Sequence, residues 1–367
     1  MINKEEIETP ALILDEKKLN KNIDRMMKVS EHGVTIRPHF KTHKSVWIAK
    51  RQIEKGASGI TVATASEAEL LFENGLTDIL LAFPLADPVR LKKLLKWSKR
   101  ARLILTVDSE EQVKIIEAIA KELIVTPEVW IKVNSGLNRC GVEPGVEAFN
   151  LAECINNTET LDLTGMYTHA GHSYAAKCEE EVNRIAKQEA ESILRSVELC
   201  EKNGIIIPNR SIGSTPTFER GAKYAGITEV RPGNAVFFDN IQVALGIASE
   251  EEVALTVLAS IASVKNERII IDAGSKALTT EKGAHGNEGV IGFGRVITNE
   301  KIFVSRVSEE HGIIDNMQNP IFHKLNEKVH IVPNHACPVV NLFNFYYVIK
   351  ENGDYEKVCV DGRGMSQ

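Results

Sequence analysis

Ile36-Arg37-Pro38-His39-Phe40-Lys41-Thr42-His43-Lys44-Ser45 places two lysines and two histidines within six residues, directly after a proline. Proline cannot sit inside a continuous helix and biases the residue before it toward extended backbone, so the stretch reads as a strand end with the loop that leaves it. Alternation along such a backbone puts His39, Lys41 and His43 on one side, while Lys44 turns away into the amphipathic run Val46 to Ile53. A lysine buried there beside other cationic groups has a lowered pKa and a free amine, which Schiff-base chemistry requires. Taken alone, the stretch is also what a basic surface turn looks like, so the remainder of the chain has to decide.

On both sides of it the chain alternates two periods. Ala11 to Leu14 is a short apolar strand, and Asp15 opens a helical pattern with Leu19, Ile23 and Met26/Met27 on one stripe. Strand and helix then follow in turn: Val34 to Pro38 and Val46 to Lys55, Gly59 to Val62 and Ser66 to Asn74, Ile79 to Ala82 and Pro88 to Arg100. Leu103 to Val107 precedes Glu110 to Lys121, Val129 to Val133 precedes Pro144 to Asn156, and Leu161 to Tyr167 precedes Lys177 to Asn203, before Ile212 and its loop. Glycines follow helices at Gly56, Gly75 and Gly204, where left-handed caps favour them. So many strand–helix units predict a closed (β/α)8 barrel from about Asp15 to Asn234, with an open doubly wound sheet as the alternative. After Asn240 the texture becomes strand-like at Val253 to Val264, Arg268 to Ile271, Gly289 to Val296, Ile302 to Val307 and Lys328 to Val332, which predicts a second, β-rich domain.

The 367 residues are enough for a large barrel plus an appendage, and 26% charged with 43% hydrophobic residues is an ordinary globular balance. A net charge of −6 recruits neither nucleic acid nor anionic membrane. Six scattered cysteines do not form a disulfide framework. Met1 to Pro10 has no apolar signal region, and no later run reaches membrane-spanning length. A cytoplasmic enzyme with reduced thiols is the expectation.

In a barrel, chemistry sits on loops at the carboxyl ends of the strands, and the unusual clusters fall there. Besides Lys41 these are Asn134 to Gly141, Thr168-His169-Ala170-Gly171-His172-Ser173-Tyr174, Gly213-Ser214-Thr215-Pro216-Thr217 and Arg231-Pro232-Gly233-Asn234. Small residues with hydroxyls and free N–H groups after the last strands suit a phosphate dianion, although such residues also build ordinary turns. In the second domain, Pro333 to Leu342 contains His335 and Cys337. If that segment is extended, the two point the same way and grip one metal ion with coordination sites to spare; imidazole with thiolate favours zinc.

Together with Asp272-Ala273-Gly274-Ser275-Lys276, these motifs make the chain resemble, nearly end to end and in order, the pyridoxal-phosphate (PLP) family of metal-activated D-threonine aldolases and eukaryotic-type D-serine dehydratases. More distantly it resembles alanine racemase. The resemblance implies an α/β protein in which an alanine-racemase-like (β/α)8 TIM barrel over residues 15–240 is followed by a β-rich domain over 241–367, joined by a strand within 1–14. It implies a homodimer in which the partner's β domain completes the active site. It makes Lys41 the cofactor-bearing lysine, lined by His39 and Arg139, with Tyr174 near the pyridine nitrogen. His169 or His172 becomes the polar group near the substrate. Gly213, Ser214, Thr215, Gly233 and Asn234 would hold the phosphate, and His335 and Cys337 a divalent metal, zinc or else manganese. The family's aldolases tend to have an aspartate where Cys337 stands, as in the dehydratases. Relatives also carry a tyrosine where Ala235 and Phe238 occur here.

The implied activity is a lyase acting on a small D-β-hydroxy amino acid, without nucleic-acid or membrane partners. D-serine dehydratase-like β-elimination to a 2-oxo acid and ammonia comes first and D-threonine aldolase-type cleavage second. A racemase, or a PLP carrier without turnover, would share the barrel; a carrier would not need the β domain.

Overall fold

The computed structural model describes residues 6–298, 302–315 and 324–367; residues 1–5 of the expected N-terminal strand lie outside the described residues. Asp15 ends strand β1 (Ala11–Asp15) and caps helix α1 (Glu16–Met27), its carboxylate accepting the Lys18 N–H at 3.0 Å. Leu19, Ile23 and Met26 form the buried stripe that a 3.6-residue period requires. The alternation continues through β2 (Thr35–Ile36), α2 (Val46–Glu54), β3 (Ile60–Val62), α3 (Ala65–Glu73), β4 (Asp78–Pro84) and α4 (Pro88–Leu95). It goes on with β5 (Arg102–Val107), α5 (Glu110–Leu123), β6 (Glu128–Lys132), α6 (Val146–Asn156), β7 (Asp162–Tyr167) and α7 (Glu179–Lys202), and ends with β8 (Asn209–Ile212), α8 (Phe218–Gly221), β9 (Glu229–Val230) and α9 (Asn240–Ala244).

Strands β2 to β9 are all parallel, in the order β2-β9-β8-β7-β6-β5-β4-β3. The two ends of that order meet. Ser58 N–H donates to Ile36 O and Thr61 N–H to Pro38 O, both at 2.8 Å, and His39 pairs with Thr61 as a parallel bridge. The sheet is therefore a ring, and the barrel expectation stands against the open sheet. Leu80, Ile104, Trp130 and Tyr167, one from each of β4 to β7, pack together. Beside Trp130 lies the buried Arg37 guanidinium, bonded to Glu229 at 2.9 Å and to Asp78. Two carboxylates meet the desolvation cost that a lone buried cation would leave uncompensated.

The remaining elements are β10 (Leu255–Val264), β11 (Arg268–Ile271), α10 (Ser275–Leu278), β12 (Arg295–Val296), β13 (Ile302–Phe303), β14 (Arg306–Val307), β15 (Gly312–Asp315), β16 (Lys328–Val332), α11 (Ala336–Val340), β17 (Phe345–Ile349) and β18 (Tyr355–Cys359). They form a second sheet, into which β1 inserts antiparallel to β10 and parallel to β17. The strand expected over Gly289 to Val296 shrinks to its last two residues. Gly292 and Gly294 adopt positive φ there, and a Cβ at Gly292 would strike the Val304 carbonyl at 2.3 Å. The β17–β18 hairpin was not anticipated, although Phe345 to Ile349 carries the aromatic and β-branched residues of a strand and Asn352-Gly353 a turn signal.

The Lys41 loop is held from outside the barrel. Residues Phe40–Thr42 form one short helical turn, so the expected alternation fails: His43 points away from Lys41 and is fully buried. Its Nδ1 accepts the Ser45 N–H at 3.2 Å, its carbonyl accepts the Tyr346 hydroxyl at 2.5 Å, and Lys44 Nζ lies 2.7 Å from Glu67 and 3.1 Å from the Gly362 carbonyl.

Two outcomes follow from this packing. An ideal Cβ on Gly165 of β7 would lie 2.6 Å from the buried Trp130 ring, so Gly165→Ala is expected to lower unfolding free energy by about 1–3 kcal/mol in urea titrations. An unchanged midpoint would mean the interior is looser than described. The second concerns pH. Burial pushes the His43 pKa down to about 3, against the opposing hydrogen bonds to Gln52 and Ser45. The folded value lies below the unfolded value near 6.5, so this group takes nothing from stability above about pH 6.5. As pH falls from there toward 3 the unfolded chain gains a proton that the folded chain excludes. Wild-type stability should thus fall with pH up to about 1.4 kcal/mol per unit more steeply than that of His43→Asn. Parallel curves would show that His43 protonates in place.

Candidate active site

Six barrel strands, Ala82 of β4 among their lining residues, and two segments of the second sheet's side enclose one cavity of about 400 Å³. The barrel side contributes His39, Lys41 and Thr42 after β2, Lys132 at the end of β6, Tyr167 and His169 after β7, Gly213, Ser214 and Thr215 after β8, and Arg231, Gly233 and Asn234 after β9. Arg139 and Tyr174 line it from longer loops, and Glu281, His285, His335 and Cys337 come from the second sheet's side. All of them belong to one chain. The expectation that a partner subunit supplies the histidine–cysteine pair is therefore corrected: Thr42 Oγ1, next to Lys41, lies 3.2 Å from Cys337 Sγ of the same chain.

Burial lowers the Lys41 pKa, and Arg139 and Lys132 push it the same way against Cys337 and Glu67. That leaves an amine more readily deprotonated than a solvated lysine. His39 and His169 are held well below the ordinary imidazole range, chiefly by burial and then by the neighbouring Lys41. Burial favours the neutral His169 ring, and the Gly213 carbonyl 2.9 Å from Nδ1 places its proton on that nitrogen. Its Nε2 is buried without a hydrogen-bond partner, an available lone pair.

The phosphate-like corner is shaped by two glycines. A Cβ on Gly213, at φ +138°, would come within 2.8 Å of Arg231 N, and one on Gly233 within 2.9 Å of Thr42 Oγ1. Nothing larger lets the three loops approach so closely. The backbone N–H groups of Gly233 and Asn234 make no hydrogen bond with another described residue, and the Thr215 N–H beside them faces the Tyr174 hydroxyl. A phosphate dianion fits such a set of free donors. Gly213 and Ser214 play a different part from the expected one. Gly213 N–H donates to Glu189 at 3.0 Å, and the Ser214 hydroxyl sits between those of Ser173 (2.8 Å) and Thr217 (2.9 Å). Glu189, fully buried on α7, also accepts from Ala170 N–H at 3.0 Å and the Thr217 hydroxyl at 2.7 Å. One carboxylate thus braces the loops after β7 and β8. Tyr174, its pKa raised chiefly by burial, is hydrogen-bonded to Thr215.

Proline 333 does not begin an extended segment through to Leu342. His335 is extended at φ −133°, but Ala336–Val340 is a short helix with Cys337 in its first turn. The pair still lines one cavity, because the helix start turns the thiol back toward the same side as His335. Burial raises the Cys337 pKa, but His335, Lys41 and the Thr42 hydroxyl outweigh it and the thiol ends below its ordinary value. His335 Nδ1 lies 3.0 Å from Glu281 Oε2, which orients the ring and leaves Nε2 to act as a ligand. Among the described residues no group of three or more His, Cys, Asp or Glu side chains is placed to hold a metal ion. A nitrogen and a softened sulfur fit a borderline metal with most positions left open.

His172 is not brought to this cavity. The short helical turn Gly171–Ala175 reverses the chain after His169 and sets its ring 3.5 Å from the Cβ position of Gly136, beside α7. Sequence reasoning placed Arg231 in a strand-end motif without giving it a role, and missed Lys132, Tyr167, Glu281 and His285 as lining residues. Lys132 ends an otherwise apolar strand and stands 5.6 Å from the Tyr167 ring centre, a signal that was readable. Arg231, buried at 4.6 Å over the same ring, donates to Ser211, Ile212 and Thr168. Glu281 and His285 lie on an irregular loop with no periodic signal. With Lys41, Lys132, Arg139 and Arg231 against Glu281 alone among acids, the lining suits anionic ligands.

Residues 14–241 match the alanine racemase N-terminal domain, and residues 254–349 the putative serine dehydratase domain. The chain is 34% identical over 368 residues to D-threo-3-hydroxyaspartate dehydratase of Delftia sp. (strain HT23), covering 95% of this chain and 96% of that protein. It is 31% identical to D-serine dehydratase of Dictyostelium discoideum, over 94% of each. The solved C-to-A variant of D-threo-3-hydroxyaspartate dehydratase, in the metal-free form, matches with a TM-score of 0.91 at 31% identity, over 98% of this chain and 99% of that one. No helix among the described residues is long and apolar enough to cross a membrane. Because both parts of the chain are matched and the likeness runs through nearly its whole length, the chain belongs to the alanine-racemase-like, fold type III family of PLP enzymes, among the D-serine dehydratases and their fellow lyases.

Proposed function

We propose that this protein is a PLP-dependent, metal-assisted lyase that removes water and then ammonia from a D-β-hydroxy amino acid, as the relatives named D-serine dehydratase and D-threo-3-hydroxyaspartate dehydratase do. The observation that carries the reading is that Lys41, a neutral imidazole with a free Nε2 on His169, and the His335–Cys337 pair line one cavity. Bound PLP supplies an electron sink for the bond broken at Cα. Thr215, Gly233 and Asn234 would hold its phosphate through their N–H groups, with Gly213 and Ser214 shaping that corner, His39 and Arg139 lining it, and Tyr174 toward the ring nitrogen. Zinc on His335 and Cys337, or manganese, would supply Lewis acidity for a departing hydroxide.

Lys41 would hold the cofactor, and its free amine would take the α-proton. The bonds broken are Cα–H and Cβ–O, water leaves, and addition of water to the resulting enamine yields a 2-oxo acid and ammonia. A thiolate in the place where the family's aldolases tend to have aspartate favours elimination. Aldol cleavage is the second reading, and it rests on His169: its unpaired Nε2 can take the proton of the β-hydroxyl, after which Cα–Cβ breaks. His172 has no role in either route. Racemisation and simple PLP carriage leave Glu281, His285, His335 and Cys337 without work. The reading includes a division near residue 240, a homodimer, and a cytoplasmic location, which the six free cysteines support.

Lys41→Ala is expected to lose the visible absorbance of bound cofactor and the borohydride-trapped mass adduct; an adduct mapping to Lys132 or Lys276 would move the site. The PLP-loaded protein should release pyruvate from D-serine, or the corresponding 2-oxo acid from D-threo-3-hydroxyaspartate, and nothing from the L-enantiomers. Glycine appearing as the main product would select the aldol route. Cys337→Ala should lose metal, seen by elemental analysis, and fall by at least about 100-fold in elimination while keeping PLP on Lys41. Full activity after chelation would remove the metal from the mechanism.

A further inference from the structure

We infer that Asp239 is a positioning residue shared by two sites, locking the loop that receives the cofactor phosphate to the helix start that presents the metal pair. The inference rests on the reading above for what the two sites hold, and on geometry for the link between them. Asp239 is fully buried and no Lys or Arg among the described residues forms an ion pair with it. Its Oδ2 accepts from Asn234 Nδ2 at 2.5 Å and from Ala336 N–H at 2.9 Å, while Oδ1 accepts from Gln242 N–H at 3.2 Å.

Capping α9 accounts only for Oδ1, and serine or asparagine would cap as well. The second oxygen does something a cap does not need. Asn234 belongs to the phosphate corner, and Ala336 is the residue between His335 and Cys337, so its peptide plane sets where both side chains point. Four further bonds close the same joint: Asn240 N–H to Pro333 O at 3.1 Å, Ile241 N–H to Asn334 O at 3.2 Å, and Asn240 Nδ2 to Val332 O at 3.0 Å and Asn334 Oδ1 at 3.1 Å. A buried carboxylate is costly; the His335 ring is the nearby group that offsets its charge, and every donor it takes comes from one of the two walls or from its own cap.

If one rigid carboxylate fixes both walls, binding at one must favour binding at the other, reciprocally. The test measures zinc affinity by chelator competition on PLP-loaded and PLP-free protein, for wild type and for Asp239→Asn. Asparagine keeps an oxygen for Gln242 but turns an NH₂ toward Asn234 and Ala336. Expected are a wild-type gain in zinc affinity of about fivefold or more on loading PLP, its loss in Asp239→Asn, and zinc binding weakened about tenfold or more in that variant. PLP dissociation should also be faster, and Asp239→Glu should not restore it because the longer arm cannot meet both donors. Wild-type protein that binds PLP and zinc independently overturns the inference even if the variant does not fold, and leaves the proposed function standing. A folded Asp239→Asn that binds both as wild type does also overturns it. Protein that takes up no zinc at all overturns both readings.

Discussion

The fold hangs on the pairing of residues 36–39 with residues 58–61. Seven neighbouring pairs of parallel strands would leave two open edges; the bonds from Ser58 and Thr61, and the His39–Thr61 bridge, remove them. The last residue of that closure, His39, is two positions from Lys41, so the candidate catalytic lysine emerges where the ring shuts. Rigidity there is passed to the lysine through one helical turn and through the contacts of His43 and Lys44 with Tyr346, Glu67 and Gly362. The second sheet is therefore a clamp on the lysine loop as well as a lid on the cavity.

Electrostatics inside the molecule follow one pattern. The cavity wall carries an excess of cations that a phosphate and a carboxylate would neutralise, while the acids Glu189 and Asp239 are kept just behind it. Burial raises the pKa of both, and the hydrogen bonds they accept pull the other way. Each spends its lone pairs on backbone and side-chain donors of the site loops, which is how an unpaired buried carboxylate is tolerated. Removing either would leave several buried donors unmatched rather than one.

The second sheet closes the cavity whose other walls come from the barrel. It contributes Glu281, His285, His335 and Cys337 to a cavity whose floor is the barrel. His285, with burial and Lys41 lowering its pKa to about 4, is a neutral ring at ordinary pH, 6.3 Å from His169 and 5.7 Å from Tyr174. Two neutral imidazoles, one from each wall, thus face the same cavity as the His335–Cys337 pair.

The sequence by itself determined the alternation of strand and helix, and with it the barrel, because a periodic apolar pattern over a dozen residues has one way to bury itself. It also determined which loops meet at the site: they follow the strand ends, and the order of motifs along the chain sets their order around the ring. Tertiary structure alone decided where individual side chains point once the backbone leaves a regular element. His43 and His172 sit in motifs beside Lys41 and His169, yet short helical turns direct them elsewhere. Gly213 and Ser214 lie in the right loop, yet Glu189, on a helix whose polar positions all look alike in sequence, takes the Gly213 N–H, and Ser173 and Thr217 take the Ser214 hydroxyl. Cys337 reaches His335 through a helix start that Asp239 stabilises from nearly a hundred residues away, and Glu281 and His285 arrive on a loop with no period to read. Period is a local property written in consecutive residues; the direction of a loop side chain is fixed by partners that only folding brings within hydrogen-bonding distance.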